Sequence, residues 1–269
     1  MTHSADASQR KAARVVGFAY LFALVPAIFA EFYVSGRLIV YDNAAETARN
    51  IMAHERLFRL GVAGNLIVCA SDVVLLTALY VVLERVNRNL ALLATFFRLI
   101  ETTILVVVTL NDFDVLRLLS GAGYLRPLEA DLLQALARLS IGAHDATYNV
   151  ALLLFGFGSP VFCYLWLESG YVPRILAVWG LFASLLVGAC AFAFIIFPEL
   201  TRVVTIGYYG GPIFLFELTM GLWLLLKGIR PSPAPQADGA SGRALAGAGW
   251  PRVPPVGVPM EGVRKSERT

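Results

Sequence analysis

The chain has 269 residues, of which 58% are apolar and only 15% charged, where an ordinary soluble domain is roughly a quarter charged. With 22 basic and 19 acidic residues the formal net charge is +3, too balanced for a nucleic-acid partner. Mean hydropathy is +0.69 even though the C-terminal segment is polar and Pro/Gly-rich, so a water-soluble enzyme is excluded as the default and the lipid bilayer is the first partner implied.

A spanning helix needs ~20 apolar residues. Runs of that kind lie at 15–34, 60–83, 90–110, 142–167, 173–197 and 206–226, which predicts six transmembrane helices. Residues Ser35-Gly36, the charged 84–88 turn, Asn111-Asp112, Glu168-Ser169-Gly170 and Pro198-Glu199 separate them, each a place for the chain to leave lipid. The first run follows Arg10, Lys11 and Arg14 as the core of a signal peptide would. It is longer than such a core, however, and Glu31-Phe32-Tyr33 extends it to spanning length, so a retained helix is predicted. Pro26 and Pro160 each remove a backbone donor and are expected to kink their helices.

Two connections are too long for simple turns. In 42–59 the residues Ala44, Ala48, Ile51, Met52 and Phe58 fall near helical spacing, with Glu46, Arg49 and Glu55 between them. In 128–139 a leucine stripe of Leu128, Leu132, Leu133, Leu136 and Leu139 follows Pro127, a good first helical residue. Both read as amphipathic helices at the membrane surface or as extensions of the following spans.

The distribution of Lys and Arg orients the chain. The side carrying the termini, the 84–89 turn and the 168–174 turn holds 13 of them, the other side holds 8, and Arg98 lies inside a span. Both termini are therefore expected in the cytoplasm. Beyond Arg230 the composition cannot bury enough apolar surface to fold. The predicted organisation is a cytoplasmic segment (1–14), a six-helix transmembrane domain (15–228) and a disordered cytoplasmic tail (229–269). The fold class is all-α, a polytopic helix bundle with two extracytoplasmic amphipathic helices.

Polar residues inside the spans carry the functional information, because a charge at bilayer centre costs ~2.5–3.5 kcal/mol even on insertion scales. Asp72 and Glu217 fall near mid-depth, with Arg98 and Glu101 between the middle and the cytoplasmic face. Arg98 and Glu101 are spaced i,i+3 and share a helix face, and only a guanidinium can grip a carboxylate through two parallel bonds. This central cluster is expected to hold either a structural ion bridge or a ligand site. A second cluster near the outer face comprises Glu31, Asn65, His144, Asp145 and Asn149. Glu31, His144 and Asp145 could converge as ligands, but no zinc-type spacing occurs, and neither a metal nor another cofactor is expected. Cys69, Cys163 and Cys190 sit singly within spans as packing residues.

Several runs together resemble one bacterial membrane family. They are 57–61 (Leu-Phe-Arg-Leu-Gly), 89–101 from Asn89 through Arg98 to Glu101, Tyr148-Asn149 to Phe155-Gly156, 169–176 (Ser-Gly-Tyr-Val-Pro-Arg-Ile-Leu), and Glu217-Leu218 with 223–228. The family is domain of unknown function 4386, and the resemblance extends over about residues 10 to 230. It implies a multi-span protein of the inner membrane and no known activity. Arg59, Asn89, Arg98, Glu101, Asn149, Arg174 and Glu217 match its motifs.

Three function classes follow. The first is an ion-coupled carrier or ligand-binding membrane protein, in which intramembrane carboxylates around Arg98 take a proton, a cation or a small ligand. The second is a non-catalytic partner or sensor subunit, for which the small-residue pattern Gly180, Ser184 and Gly188 would serve assembly, including a homo-oligomer. The third is an intramembrane enzyme at the outer His/carboxylate cluster, which lacks both a GxSxG nucleophile and a zinc motif, so enzymatic activity is not expected.

Overall fold

Each apolar run is a helix in the computed structural model, which describes residues 2–40, 43–125 and 128–230, the side chains of 2–6 and of Tyr124 excepted. The elements are α1 (Thr2–Ile28), a π-helical segment (Phe29–Ser35), α2 (Gly36–Leu38), α3 (Ala44–Ala53), α4 (Glu55–Leu83), α5 (Arg88–Leu119), α6 (Ala130–Ser169), α7 (Arg174–Ile196) and α8 (Ile206–Leu226). Short 3-10 turns occupy Gly123–Leu125 and Pro198–Arg202, and no strand occurs among the described residues. Among the described residues six helices are long and apolar enough to cross a membrane, the first running Ala7–Leu38 through the π segment.

Local chemistry sets the helix ends. The Asn87 side chain accepts from the Leu90 amide at 3.1 Å and starts α5, as the Asn43 side chain accepts from the Glu46 amide at 3.0 Å and starts α3. Gly170, at φ 65°, closes α6 in the left-handed conformation that a side chain would disfavour. Pro26 removes a donor from the ladder of α1, and the chain passes into π turns three residues later. Pro160 sits inside α6, whose helical assignment is continuous on both sides.

The amphipathic stretches resolve differently from each other. The first is a separate helix, α3, with Thr47, Ala48 and Ile51 buried and the Thr47 hydroxyl donating to the Val40 carbonyl at 3.0 Å while accepting from the Val40 amide at 2.9 Å. The second is not a separate helix. Residues 130–140 run on into the fourth span as one 40-residue helix, about 60 Å long at 1.5 Å per residue and twice the hydrocarbon thickness. Leu132 and Leu139 of its stripe are exposed, whereas Ala137 and Ile141 are the residues packed against Ile51, Phe58 and Val115. Pro127 and the segment 231–269 lie outside the described residues, and with them the expectation of a disordered tail.

The helix does not end at Asn111-Asp112: α5 continues to Leu119. Asp112 is buried and bonded to a neighbouring helix, so its polarity is satisfied without leaving the bundle. The Gly180, Ser184 and Gly188 pattern, expected to serve assembly, is a correction. All three face inward, with Gly180 against the Phe216 ring of α8 and Gly188 against Gly156 of α6. A Cβ on either Gly156 or Gly188 would collide with the other's backbone, which is what lets α6 and α7 cross so closely.

The larger apolar core joins α1, α4, α5, α6, α7 and α8 around Leu76, Leu79, Trp166 and Met220. A smaller one at the α3 end gathers Val34, Leu38, Ile51, Phe58 and Val115. The central polar cluster borders the first and the outer one adjoins the second.

Candidate functional site

In the interior of the bundle α4 supplies Asp72, α5 supplies Arg98 and Glu101, and α8 supplies Glu217, all four on the wall of a cavity of about 190 Å³. Tyr20 of α1 and Tyr148 and Phe155 of α6 complete its polarisable lining. The expected central cluster therefore forms, and it surrounds space.

Arg98 is the organising group. Its Nη1 lies 3.0 Å from Glu101 Oε2 and its Nη2 lies 4.0 Å from Asp72 Oδ1. The first is an ion pair by distance, but the N–H is not aimed at the oxygen, so neither Nη1 nor Oε2 makes a well-formed hydrogen bond. The guanidinium carbon stands 4.4 Å from the centre of the Phe155 ring, a cation–π contact in a desolvated place. One turn beyond, the Thr102 hydroxyl donates to the Arg98 carbonyl at 2.9 Å. Arg98 lies only 5% exposed, and Asp72 and Glu101 are similarly buried. Gly158 of α6 makes room for the arginine stem, since a Cβ there would stand 2.8 Å from Arg98 Cγ.

Glu217 is different. Among the described residues it forms no salt bridge with Arg98, and its side chain borders both the central cavity and a much smaller void beside Ser159, Cys163 and Ser184. Three carboxylates thus share one guanidinium. In a medium that penalises net charge, such an excess is relieved by protons or by a bound cation.

The outer cluster is brought together in part. His144 Nδ1 lies 2.8 Å from Asp112 Oδ1, linking α6 to α5, and Asn65 of α4 lines a void of about 20 Å³ with both. Glu31, in the π segment, is exposed yet within electrostatic range of His144, Asp145 and Asp112. Asp145 and Asn149 are half-buried and outside the wall of that void. Glu31, His144 and Asp145 do not close on one another, and no three His, Cys, Asp or Glu among the described residues could hold a metal ion.

Sequence reasoning missed Asp112, Tyr20, Tyr148 and Phe155. The signal for Asp112 was present: it follows Glu101 by eleven residues, three turns of helix, and so returns to the same face of α5. Tyr148 and Phe155 likewise follow His144 by four and eleven residues on α6.

No curated protein and no solved structure matches the chain. The family model described as Domain of unknown function (DUF4386) matches residues 15–228, which reach from within the first spanning helix past the end of the last and include Arg98, Glu101 and Glu217. By that match and its six spanning helices the chain is a multi-pass membrane protein belonging to the DUF4386 family.

Proposed function

We propose that the protein is a cation-binding carrier whose central cavity takes a small positively charged solute against Asp72, Glu101 and Glu217. The observation that carries this reading is the composition of the cavity wall: three carboxylates, one of them unbridged, facing space beside a single arginine. The alternative of a purely structural bridge accounts for Arg98 with Glu101 but leaves Glu217 unexplained. A cavity of about 190 Å³ exceeds the ~150 Å³ that accommodates benzene, so the solute is of that size or slightly larger. The tyrosine hydroxyls add neutral donors and acceptors, and Phe155 is already covered by Arg98. Assembly through the Gly180 pattern has lost its motive, because that pattern packs inside the bundle. On the distribution of Lys and Arg we take the termini to be cytoplasmic, and on the family resemblance we take the membrane to be the bacterial inner one.

Thermal unfolding of the full chain in detergent tests the reading, because a ligand of the native state raises the midpoint. Methylammonium, ethanolamine and choline are the probes, with acetate and neutral alcohols as controls. The amines are expected to stabilise the wild type and not the Glu217→Gln variant. Equal effects of amines and neutral controls, or amine shifts that survive Glu217→Gln, overturn it.

A further inference from the structure

The polar residues between the two clusters are not scattered. On α5, Glu101 and Leu105 line the central cavity and Asp112 lies beyond them. On α6, Phe155, Leu152 and Tyr148 line it and His144 lies beyond. The His144–Asp112 bond closes the end of this pair of faces nearest α3. Tyr148 stands at the junction, its ring stacked on His144 with centroids 6.4 Å apart, and it also lines the cavity. The void of about 20 Å³ beside His144 and Asn65 has room for one water. Asn65 shares the small void with Asp112 and His144, Tyr148 lies one turn along α6 from His144 and lines the cavity that holds Glu101 and Glu217, and the neighbouring positions Leu105, Val108, Ala151 and Leu152 are apolar.

We propose that His144 and Tyr148 form the proton route between the α3 end of the bundle and the central carboxylates. The inference rests on the reading that those carboxylates exchange a proton or cation. Asp112 accepts from Nδ1–H and so leaves Nε2 as the nitrogen that takes a proton from water. The imidazolium then releases its Nε2 proton through a water molecule to the phenol oxygen of Tyr148, which passes its own proton to a carboxylate of the cavity. His144 returns to neutrality, Tyr148 is restored, and one carboxylate becomes a carboxylic acid. The charges around His144 suit a transient cation: Asp112 from α5, Glu31 from the π segment and Asp145 on its own helix. Tyr148 in turn lies within electrostatic range of Glu31, Tyr209, Glu101 and Glu217.

Infrared spectroscopy of the full chain in lipid nanodiscs tests the route. The C=O stretch of protonated carboxyls is followed after transfer from H2O to D2O, the cavity contribution being identified by its loss in Glu101→Gln and Glu217→Gln. Tyr148→Phe keeps the ring and its stack while removing the hydroxyl, and is expected to slow exchange by roughly a hundredfold, the low end of what a positioned proton-transfer group contributes. His144→Gln is expected to do the same and serves should Tyr148→Phe not fold. An unchanged thermal midpoint of Tyr148→Phe separates this from a structural effect, and His144→Gln, which gives up the bond to Asp112, is read against Asp112→Asn, which weakens the same bond while keeping the imidazole. Exchange as fast as wild type in the folded variants, or no exchanging cavity carboxyl in the wild type, overturns the route. If amine stabilisation persists while exchange is unaffected by either variant, only the route has failed; if exchange slows but no amine stabilises the wild type, only the cationic-solute reading has failed.

Discussion

Gly158 and Arg98 are fitted to each other: the backbone of α6 passes so near α5 that a methyl group on Gly158 would stand 2.8 Å from Arg98 Cγ. The arginine reaches Glu101 and Phe155 through a channel that only a missing side chain leaves open. Gly158→Ala is therefore expected to destabilise the protein by roughly 1–3 kcal/mol, the usual range for overpacking. Gly142→Ala, where a Cβ would meet only the flexible Arg138 Nη1 at 3.9 Å, is the control and should not lower the thermal midpoint.

Removing the arginine itself is expected to cost more. Arg98→Met leaves Glu101 and Asp72 buried without their cation, for a loss of about 3–5 kcal/mol. The double change Arg98→Met with Glu101→Leu removes the nearer uncompensated charge as well and should unfold later than the single variant, measured by denaturation in detergent. Amine stabilisation is expected to persist in the double variant, since Asp72 and Glu217 remain on the cavity wall, and to be lost on adding Glu217→Gln.

The Asp112–His144 bond is testable by a double-mutant cycle. Asp112→Ala leaves a partly buried ring nitrogen without its acceptor and should cost about 1–3 kcal/mol. Because the two residues share one bond at 2.8 Å, the double alanine variant is expected to be less destabilised than the sum of the singles by roughly 0.5–3 kcal/mol. Strict additivity in thermal or denaturant unfolding would mean that the bond contributes nothing to the folded state.

Topology follows from the charge distribution and from an even number of spans. Reporter fusions are expected to place the 84–87 turn and the C-terminal tail in the cytoplasm, and the α3 connection and the start of α6 outside. A periplasmic signal from the 84–87 turn would invert the arrangement and with it the side from which His144 is reached.

The sequence by itself determined the number and position of the spanning helices, because apolar length is a one-dimensional property and the bilayer reads it directly. It also determined that Arg98 and Glu101 share a face, since i,i+3 spacing is enforced by a single helix. Which carboxylates reach Arg98 was decided only in three dimensions: Glu101 at 3.0 Å, Asp72 at 4.0 Å, and Glu217 left to the cavity. Those outcomes depend on how α4, α5 and α8 are rotated and spaced, which close glycine crossings such as Gly156 with Gly188 control and no single helix encodes. Asp112 shows the same limit from the other side. As a residue in a string it marks a break, and only the arrival of His144 from another helix satisfies it and lets α5 run on.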